Sequence, residues 1–324
     1  MSSLKEHKFV YFNGIFDAKA SERWPLPPGT VLNVEQGFEL RLPDKVVPED
    51  AVHLVFSGAE HSPRFEREFS VKIFAGVSTR LNFILHKTGN AEFIPARLHV
   101  EFFLSENACV DYYQVEESDV CGEFSTENIF HLKKHASLDY LAFAAAAGVS
   151  KSRTTVDFQE EHGFFSAKGL SMLKDRSRAE HVLLVHHRAP HCISRQYYKS
   201  VLAGESKSDF NSLVYVHANA FKSDSQQLNR NLLLSEEAQA SSKPELRIDN
   251  DDVAASHGSA SGQLNDDELF YLQSRGFSKD RARLVLVDGF AEEIVGEIHE
   301  KNLKAHLEKA IHGRIEAMMG GKKS

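Results

Sequence analysis

The sequence predicts a mainly β chain that ends in a helical segment. Three observations carry this reading. Up to about residue 256, short β-type runs alternate with polar or glycine-containing turns. Within some runs apolar and polar residues swap with a period of two, and after Ser261 the apolar spacing changes to three and four.

The β runs include residues 71–74, 98–104, 109–115, 154–158, 182–185 and 213–216. Alternation is plain in Ala136-Ser137-Leu138-Asp139-Tyr140-Leu141, and no amphipathic helix of three turns interrupts this region. The region also resembles itself. Asn107-Ala-Cys-Val-Asp-Tyr-Tyr matches His135-Ala-Ser-Leu-Asp-Tyr-Leu, with weaker echoes starting at Arg178 and Lys207; the starts lie 28, 43 and 29 residues apart. Such an irregular period argues against a propeller and is tolerable in a β-solenoid, whose turns vary in length. The small residues of 144–148 suit a tightly wound interior. A β-sandwich would produce the same short strands, so periodicity leaves both architectures open.

The last stretch reads differently. Asn265 is a good N-cap ahead of Asp266, Asp267 and Glu268, and the helix it starts stops at Arg275-Gly276. Ser278 caps a second helix with Asp280 early in it; Leu284, Phe290, Ile294 and Ile298 line one side. Leu303, Leu307, Ile311, Ile315 and Met319 then recur every four residues, a helical stripe. Residues 320–324 read as a frayed tail. The expected division is a β domain over 1–261, with a flexible start at 1–8, and a helical domain over 262–324.

Composition narrows the function classes. The 324 residues carry 46 acidic against 38 basic side chains, a net charge of −8. That opposes non-specific nucleic-acid binding, which depends on Lys and Arg neutralising phosphates. No apolar run is long enough for a membrane span, and the first residues lack the pattern of a secretory signal, so the cytoplasm is the expected compartment. Cys109, Cys121 and Cys192 are too few and too scattered for a disulfide framework.

The motifs of common enzymes are missing: no P-loop, no dinucleotide fingerprint, no C-x-x-C and no G-x-S-x-G elbow. His299-Glu300 opens like a metalloprotease helix, but Leu303 stands where the second histidine belongs. His186, His187, His191 and Cys192 are suitable donors for zinc, iron or copper. The plainer reading is a strand end running into a turn at Pro190, with neighbouring histidines on opposite faces. His299 and His306, taken as one helix, lie roughly 10 Å apart by helical rise, too far to share an ion, and read as a solvated polar face. Cys109 and Cys121 read as small buried hydrophobes. No catalytic site is predicted.

Residues 226–298 carry a resemblance of a different kind. Asn229-Arg-Asn-Leu-Leu-Leu-Ser235, Lys243-Pro-Glu-Leu246, Asp251-Asp-Val253, Ser256-His-Gly258, Gly262-Gln-Leu264, Leu269-Phe-Tyr-Leu272, Ser274-Arg-Gly276, Ala282-Arg283 and Gly289-Phe-Ala291 follow one another in order. This stretch resembles the shared core of the SufB and SufD families, which build iron–sulfur clusters with the ATPase SufC. The resemblance implies a right-handed parallel β-helix followed by a C-terminal α-helical domain that docks the ATPase. It also favours the SufD side: Ala238 occupies the slot of the cluster-building cysteine of SufB-type proteins, and Lys243-Pro-Glu-Leu246 is the SufD form. Family members of this type begin with a helical N-terminal domain, whereas here strand-like Phe9-Val-Tyr-Phe12 comes almost at once.

By the same resemblance, His257 matches the histidine that SufD presents to SufB. It is the candidate ligand for iron or a cluster passing through that interface, with no stably bound cofactor expected; Gly258 beside it permits close approach. The competing reading of His257 is a hydrogen bond in a turn. Leu269, Phe270 and Tyr271 are three consecutive bulky residues that one helix face cannot bury together, so some are expected to meet a partner, aromatics being favoured interface anchors. Packing onto the end of the β-helix, capping its open coil, is the equal alternative. Arg275, Gly276, Phe277 and Phe290 complete the expected partner-binding set. The implied partners are a SufB-like scaffold and a SufC-like ATPase, with a stand-alone homodimer as a further arrangement. The alternative from another class is a β-solenoid carbohydrate-active enzyme, against which stands the missing export signal.

Overall fold

From Phe38 to Gly262 each strand pairs in parallel with the strand two further along the chain, and that rule generates the fold; the first two strands and the next two instead form short antiparallel pairs. The computed structural model describes residues 7–12, 15–21, 26–35, 37–58, 68–89, 97–118 and 122–319. The strands are β1 His7–Phe12, β2 Ile15–Phe16, β3 Val31–Asn33, β4 Phe38–Leu42, β5 Val52–Gly58, β6 Glu68–Ala75, β7 Arg80–Gly89, β8 Arg97–Leu104, β9 Cys109–Ser118 and β10 Glu123–Leu132. They continue as β11 Ser137–Ala146, β12 Val149–Phe158, β13 Phe164–Leu173, β14 Arg178–His187, β15 Ile193–Leu202, β16 Lys207–Val216, β17 Asp224–Leu233, β18 Gln239–Ile248 and β19 Ala254–Gly262. The helices α1 Asp266–Ser274, α2 Lys279–Val295 and α3 Lys301–Met319 follow.

From β5 onward, odd-numbered strands form one sheet and even-numbered strands the other. The chain is a parallel β-solenoid, not a sandwich. The spacings of 28 and 29 residues in the sequence are single coils: Cys109 pairs with Ser137 and Arg178 with Lys207. The spacing of 43 crosses between sheets. His7 and Lys8, expected to be flexible, already pair with Val52 and His53; the expected frayed tail and Cys121 lie outside the described residues.

One corner of the coil shows why the repeat is tolerant of sequence. Ser78, Asn107, His135, His162, His191 and Lys222 all adopt positive φ between 54° and 61°. Each donates its amide to a carbonyl of the next coil, as Asn107 does to Lys134 O (2.9 Å) and His191 to Phe221 O (3.0 Å). Asn and His accept this conformation more readily than most residues, and the stacked imidazoles of His135, His162 and His191 lie 4.8 and 4.7 Å apart. At another corner Gly148 is obligatory, because a Cβ there would sit 2.0 Å from the Gly122 carbonyl oxygen.

Inward side chains form an apolar ladder in the early coils, including Phe9, Phe38, Phe83, Phe102, Tyr112 and Phe130. The interior then turns polar. Lys87 and Glu116, both with side chains 2% exposed, form an ion pair at 2.5 Å. Thr126 Oγ1 also receives the Lys87 ammonium, and Ser150 and Gln114 donate to the same carboxylate. Burial by itself raises the Glu116 pKa, but the Lys87 charge and the donated hydrogen bonds outweigh it and hold the carboxyl below its ordinary range.

α2 and α3 cover the outward face of the odd-strand sheet. Ile84, Tyr113, Val115, Leu141, Phe143, Leu170 and Met172 pack against Val287, Ala291, Ile294, Leu303, Leu307, Ile311 and Ile315. This is why β11 is apolar on both faces over 141–146. The stripe on α3 is therefore a flank seal, and α2 and α3 do not cap the end of the coil. His299 lies between α2 and α3 and not on a shared helix with His306.

Candidate functional site

The two sheets end on β18 and β19, and each has a neighbour on one side only. Unlike β4 to β17, these strands contain no buried residue, and Ile248 is 42% exposed. A row of unpaired backbone donors and acceptors at such an edge is a template for another strand. Pro244, which has no amide hydrogen, fits only an edge position of this kind.

His257 is a product of the same termination. It pairs with Gln227 of β17, a residue that faces into the coil and is fully buried. Because no coil follows β19, His257 is exposed at the mouth of the interior instead of sealed inside it. Beneath it runs a polar column. Gln227 Nε2 donates to Ser212 Oγ (2.7 Å), Asn231 Nδ2 to Asn229 Oδ1 (2.8 Å) and to Ser261 Oγ (3.0 Å), and Asn229 Nδ2 to Tyr198 O (3.2 Å). The Asn229-Arg-Asn231 motif thus places two amides inside the last complete coil. Among the described residues, no trio of His, Cys, Asp or Glu with converging ligand atoms includes His257. An ion held there needs donors from another molecule. Ala238 is buried beside Leu173 and Ala179.

A linker of three residues joins β19 to α1. Asn265 Oδ1 accepts from Asp267 N and Glu268 N, as an N-cap should, and Gly276 at φ 90° ends the helix. No residue of α1 is buried. Phe270 is 72% and Tyr271 58% exposed, with Phe277 also exposed and Leu269 half-buried. The Arg275 guanidinium lies 5.4 Å from the Tyr271 ring. Of the two expectations for these aromatics, packing onto the end of the coil is not what the structure shows. A cavity of about 330 Å³ separates the coil end from the helices, lined by Arg230, Ala260, Leu264, Glu268 and Phe290 among others.

Phe290 differs from the α1 aromatics. It is half-buried on α2, with the Lys199 ammonium 4.0 Å from its ring centre. Lys199, whose side chain is wholly buried, also reaches Glu293 Oε2 (2.6 Å) and donates to Phe290 O (2.8 Å). Tyr197 OH donates to Glu293 as well (2.6 Å), and Arg230 approaches it at 3.6 Å. These polar groups fix where α2 sits on the sheet.

The other donor-rich segment does not converge. His186 faces outward to His217 (3.2 Å), while His187 is buried and bonded to Ser194 Oγ (2.8 Å). Burial pushes the His187 pKa down to about 3 and the Cys192 thiol up to about 11, so at neutral pH the imidazole is neutral and the thiol stays protonated. His191 belongs to the stacked corner. Cys109 is half-buried, more open than expected. What sequence reasoning missed is His306: it contacts Glu117 on β9, 189 residues away, and no local pattern could reveal that.

Coil, uncapped end and flanking helices define a parallel β-solenoid with an open last coil. The sequence profile described as "SUF system FeS cluster assembly, SufBD core domain" matches residues 60–290, and the chain belongs to that family. It is 26% identical over 212 residues to the iron–sulfur cluster assembly protein SufD of Escherichia coli K12, covering 65% of this chain and 50% of that protein. An iron–sulfur cluster assembly SufBD family protein of Mycobacterium leprae is 35% identical over 192 residues, 57% of this chain and 49% of the relative. A SufBD family protein of Synechocystis is 30% identical over 214 residues, covering 66% and 47%. The chain spans about half the length of the curated relatives it matches. A carbohydrate-active solenoid finds no support in this family. Among the described residues, no helix is long and apolar enough to cross a membrane.

Proposed function

We propose that this chain is a non-catalytic, SufD-like subunit of a cytoplasmic iron–sulfur cluster assembly complex. In this reading the free edges of β18 and β19 pair with a SufB-like scaffold. His257 contributes one imidazole to iron or a cluster in transit between the subunits, and α1 offers Phe270, Tyr271 and Phe277 to a SufC-like ATPase. The observation that carries the proposal is the uncapped last coil, with an exposed histidine above a polar, hydrogen-bonded interior. Imidazole is a suitable ligand for iron, and the lone position of His257 makes a partner's donors necessary.

The test is co-expression with SufB-like and SufC-like proteins, followed by size exclusion and anaerobic absorbance spectra. His257→Ala is expected to leave the complex assembled and to lower cluster yield; a normal yield refutes its role. Removing everything after Ser261 would strip the seal from Leu141, Phe143 and Met172, so the ATPase contact is better probed by Phe270→Ala with Tyr271→Ala. Both side chains are exposed, so the fold should be unchanged within ~0.5 kcal/mol while the ATPase no longer co-purifies. Retained co-purification refutes that contact. Light scattering of the chain alone separates pairing with a scaffold from self-pairing through the same edges.

A further inference from the structure

We infer that His86, Glu117 and His306 form a binding site for a first-row transition-metal dication at the seam between the odd-strand sheet and α3. His86 Nε2 lies 2.9 Å and His306 Nε2 2.7 Å from the same Glu117 oxygen, Oε2, and one ligand atom from each of the three residues falls within 4.8 Å of the others. An ion with bonds of about 2.0–2.2 Å to nitrogen and oxygen holds neighbouring ligand atoms roughly 3 Å apart. Two of the three edges of such a site are thus already at coordination distance, and an ion needs only to take the place of the protons now shared between imidazole and carboxylate.

The scaffold is rigid where it should be. His86 on β7 and Glu117 on β9 are outward residues of adjacent paired strands, offset by two residues and so on the same face (His86 pairs with Val115, Thr88 with Glu117). Strand positions hold ligand geometry better than loops do. Behind His86 the His53 ring stacks at 5.7 Å with an interplanar angle of 5°. The third ligand is brought by α3, whose Leu303 and Leu307 are buried on either side of His306 in sequence.

The donor set selects the ligand. Two imidazoles and one carboxylate suit Zn(II), Fe(II) or Co(II), whereas Ca(II) and Mg(II) prefer all-oxygen shells. Three protein ligands leave coordination positions open. A cavity of about 520 Å³, lined by Glu117, Ser118, Lys174 and Arg314, opens beside the carboxylate and supplies an entry path. Bound there, the ion would staple α3 to the sheet at a point remote from His257.

The test uses the full chain and Co(II) alone, followed by visible absorbance, with Zn(II) competition and thermal melting in parallel. The expected result is one saturable Co(II) site, displaced by Zn(II), and a melting temperature that rises with Zn(II). His306→Ala, a half-exposed position on a helix held by other residues, is expected to lower Co(II) affinity at least ~10-fold with unchanged circular dichroism; Glu117→Gln provides a second variant. His257→Ala is expected to bind Co(II) like the parent. Absence of a saturable site, binding unchanged in both His306→Ala and Glu117→Gln, or a melting temperature indifferent to Zn(II) would overturn the assignment and leave a hydrogen-bonded triad.

Discussion

Lys87→Met would remove the cation paired with the buried Glu116 carboxylate inside the coil. Glu116 is as buried as its partner, so the variant has two routes. Leaving the carboxylate charged and unpaired costs about 3–5 kcal/mol. Protonating it instead costs about 1.4 kcal/mol for each unit between the ordinary carboxyl value of 4.5 and the working pH. At pH 7 that is roughly 3.4 kcal/mol, and at pH 5 it is below ~1 kcal/mol. The cheaper route sets the cost, so the expected loss is about 3–4 kcal/mol at pH 7 and shrinks towards pH 5. The sign follows from linkage. In the parent, a depressed Glu116 pKa adds stability above 4.5 that is lost as pH falls, whereas in the variant the raised pKa removes stability as pH rises. Urea unfolding followed by circular dichroism at pH 7 and pH 5 measures both numbers, and Lys87→Met with Glu116→Gln should recover most of the pH 7 loss. A loss under 1 kcal/mol at pH 7, or one independent of pH, refutes the reasoning.

Burial also holds His181 neutral, with a pKa near 4, and His187 near 3. Both are depressed, so the unfolded chain binds protons first. Stability is full above pH 6.5 and falls towards pH 4, by roughly 3 kcal/mol from His181 alone; melting curves across this window, compared with His181→Gln, check it. Gly148→Ala should cost about 1–3 kcal/mol, since its Cβ would meet backbone at 2.0 Å that can retreat only by opening the coil; thermal unfolding measures it.

Much of the fold was legible because its signals are local. Asn265 and Ser278 cap α1 and α2 as their side chains predict, and Leu303, Leu307, Ile311 and Ile315 are all buried. The resemblance between the segments at Asn107 and His135 was a true coil repeat, anchored by a shared positive φ. The flank seal was not legible. Leu141 and Phe143 are apolar because α2 and α3 return to cover them, and a long-range return leaves no periodic trace in either segment. The polar interior was hidden for the opposite reason. Polarity alone suggests a solvated position for Lys87, Glu116 or Asn229, yet each is sealed inside by partners one or more coils away. His257 is singled out by its family motif; composition or spacing alone would leave it a turn residue.

The same alternation explains why one short motif serves two surfaces. Successive strand residues point to opposite sides, so Asn229 and Asn231 face the interior while Arg230, between them, faces α2. Asn231 holds Ser261 of the terminal strand, and Arg230 lies 3.6 Å from Glu293, the residue that also engages buried Lys199. The open coil end and the seat of α2 therefore share three consecutive residues of backbone. A shift of α2 large enough to displace Arg230 must act on the strand that hydrogen-bonds β19 and positions Gln227 beneath His257. Through β17, the helix-bearing flank and the exposed histidine are parts of one continuous element, whereas α1, with no buried residue, joins it through a short linker and packs against α2.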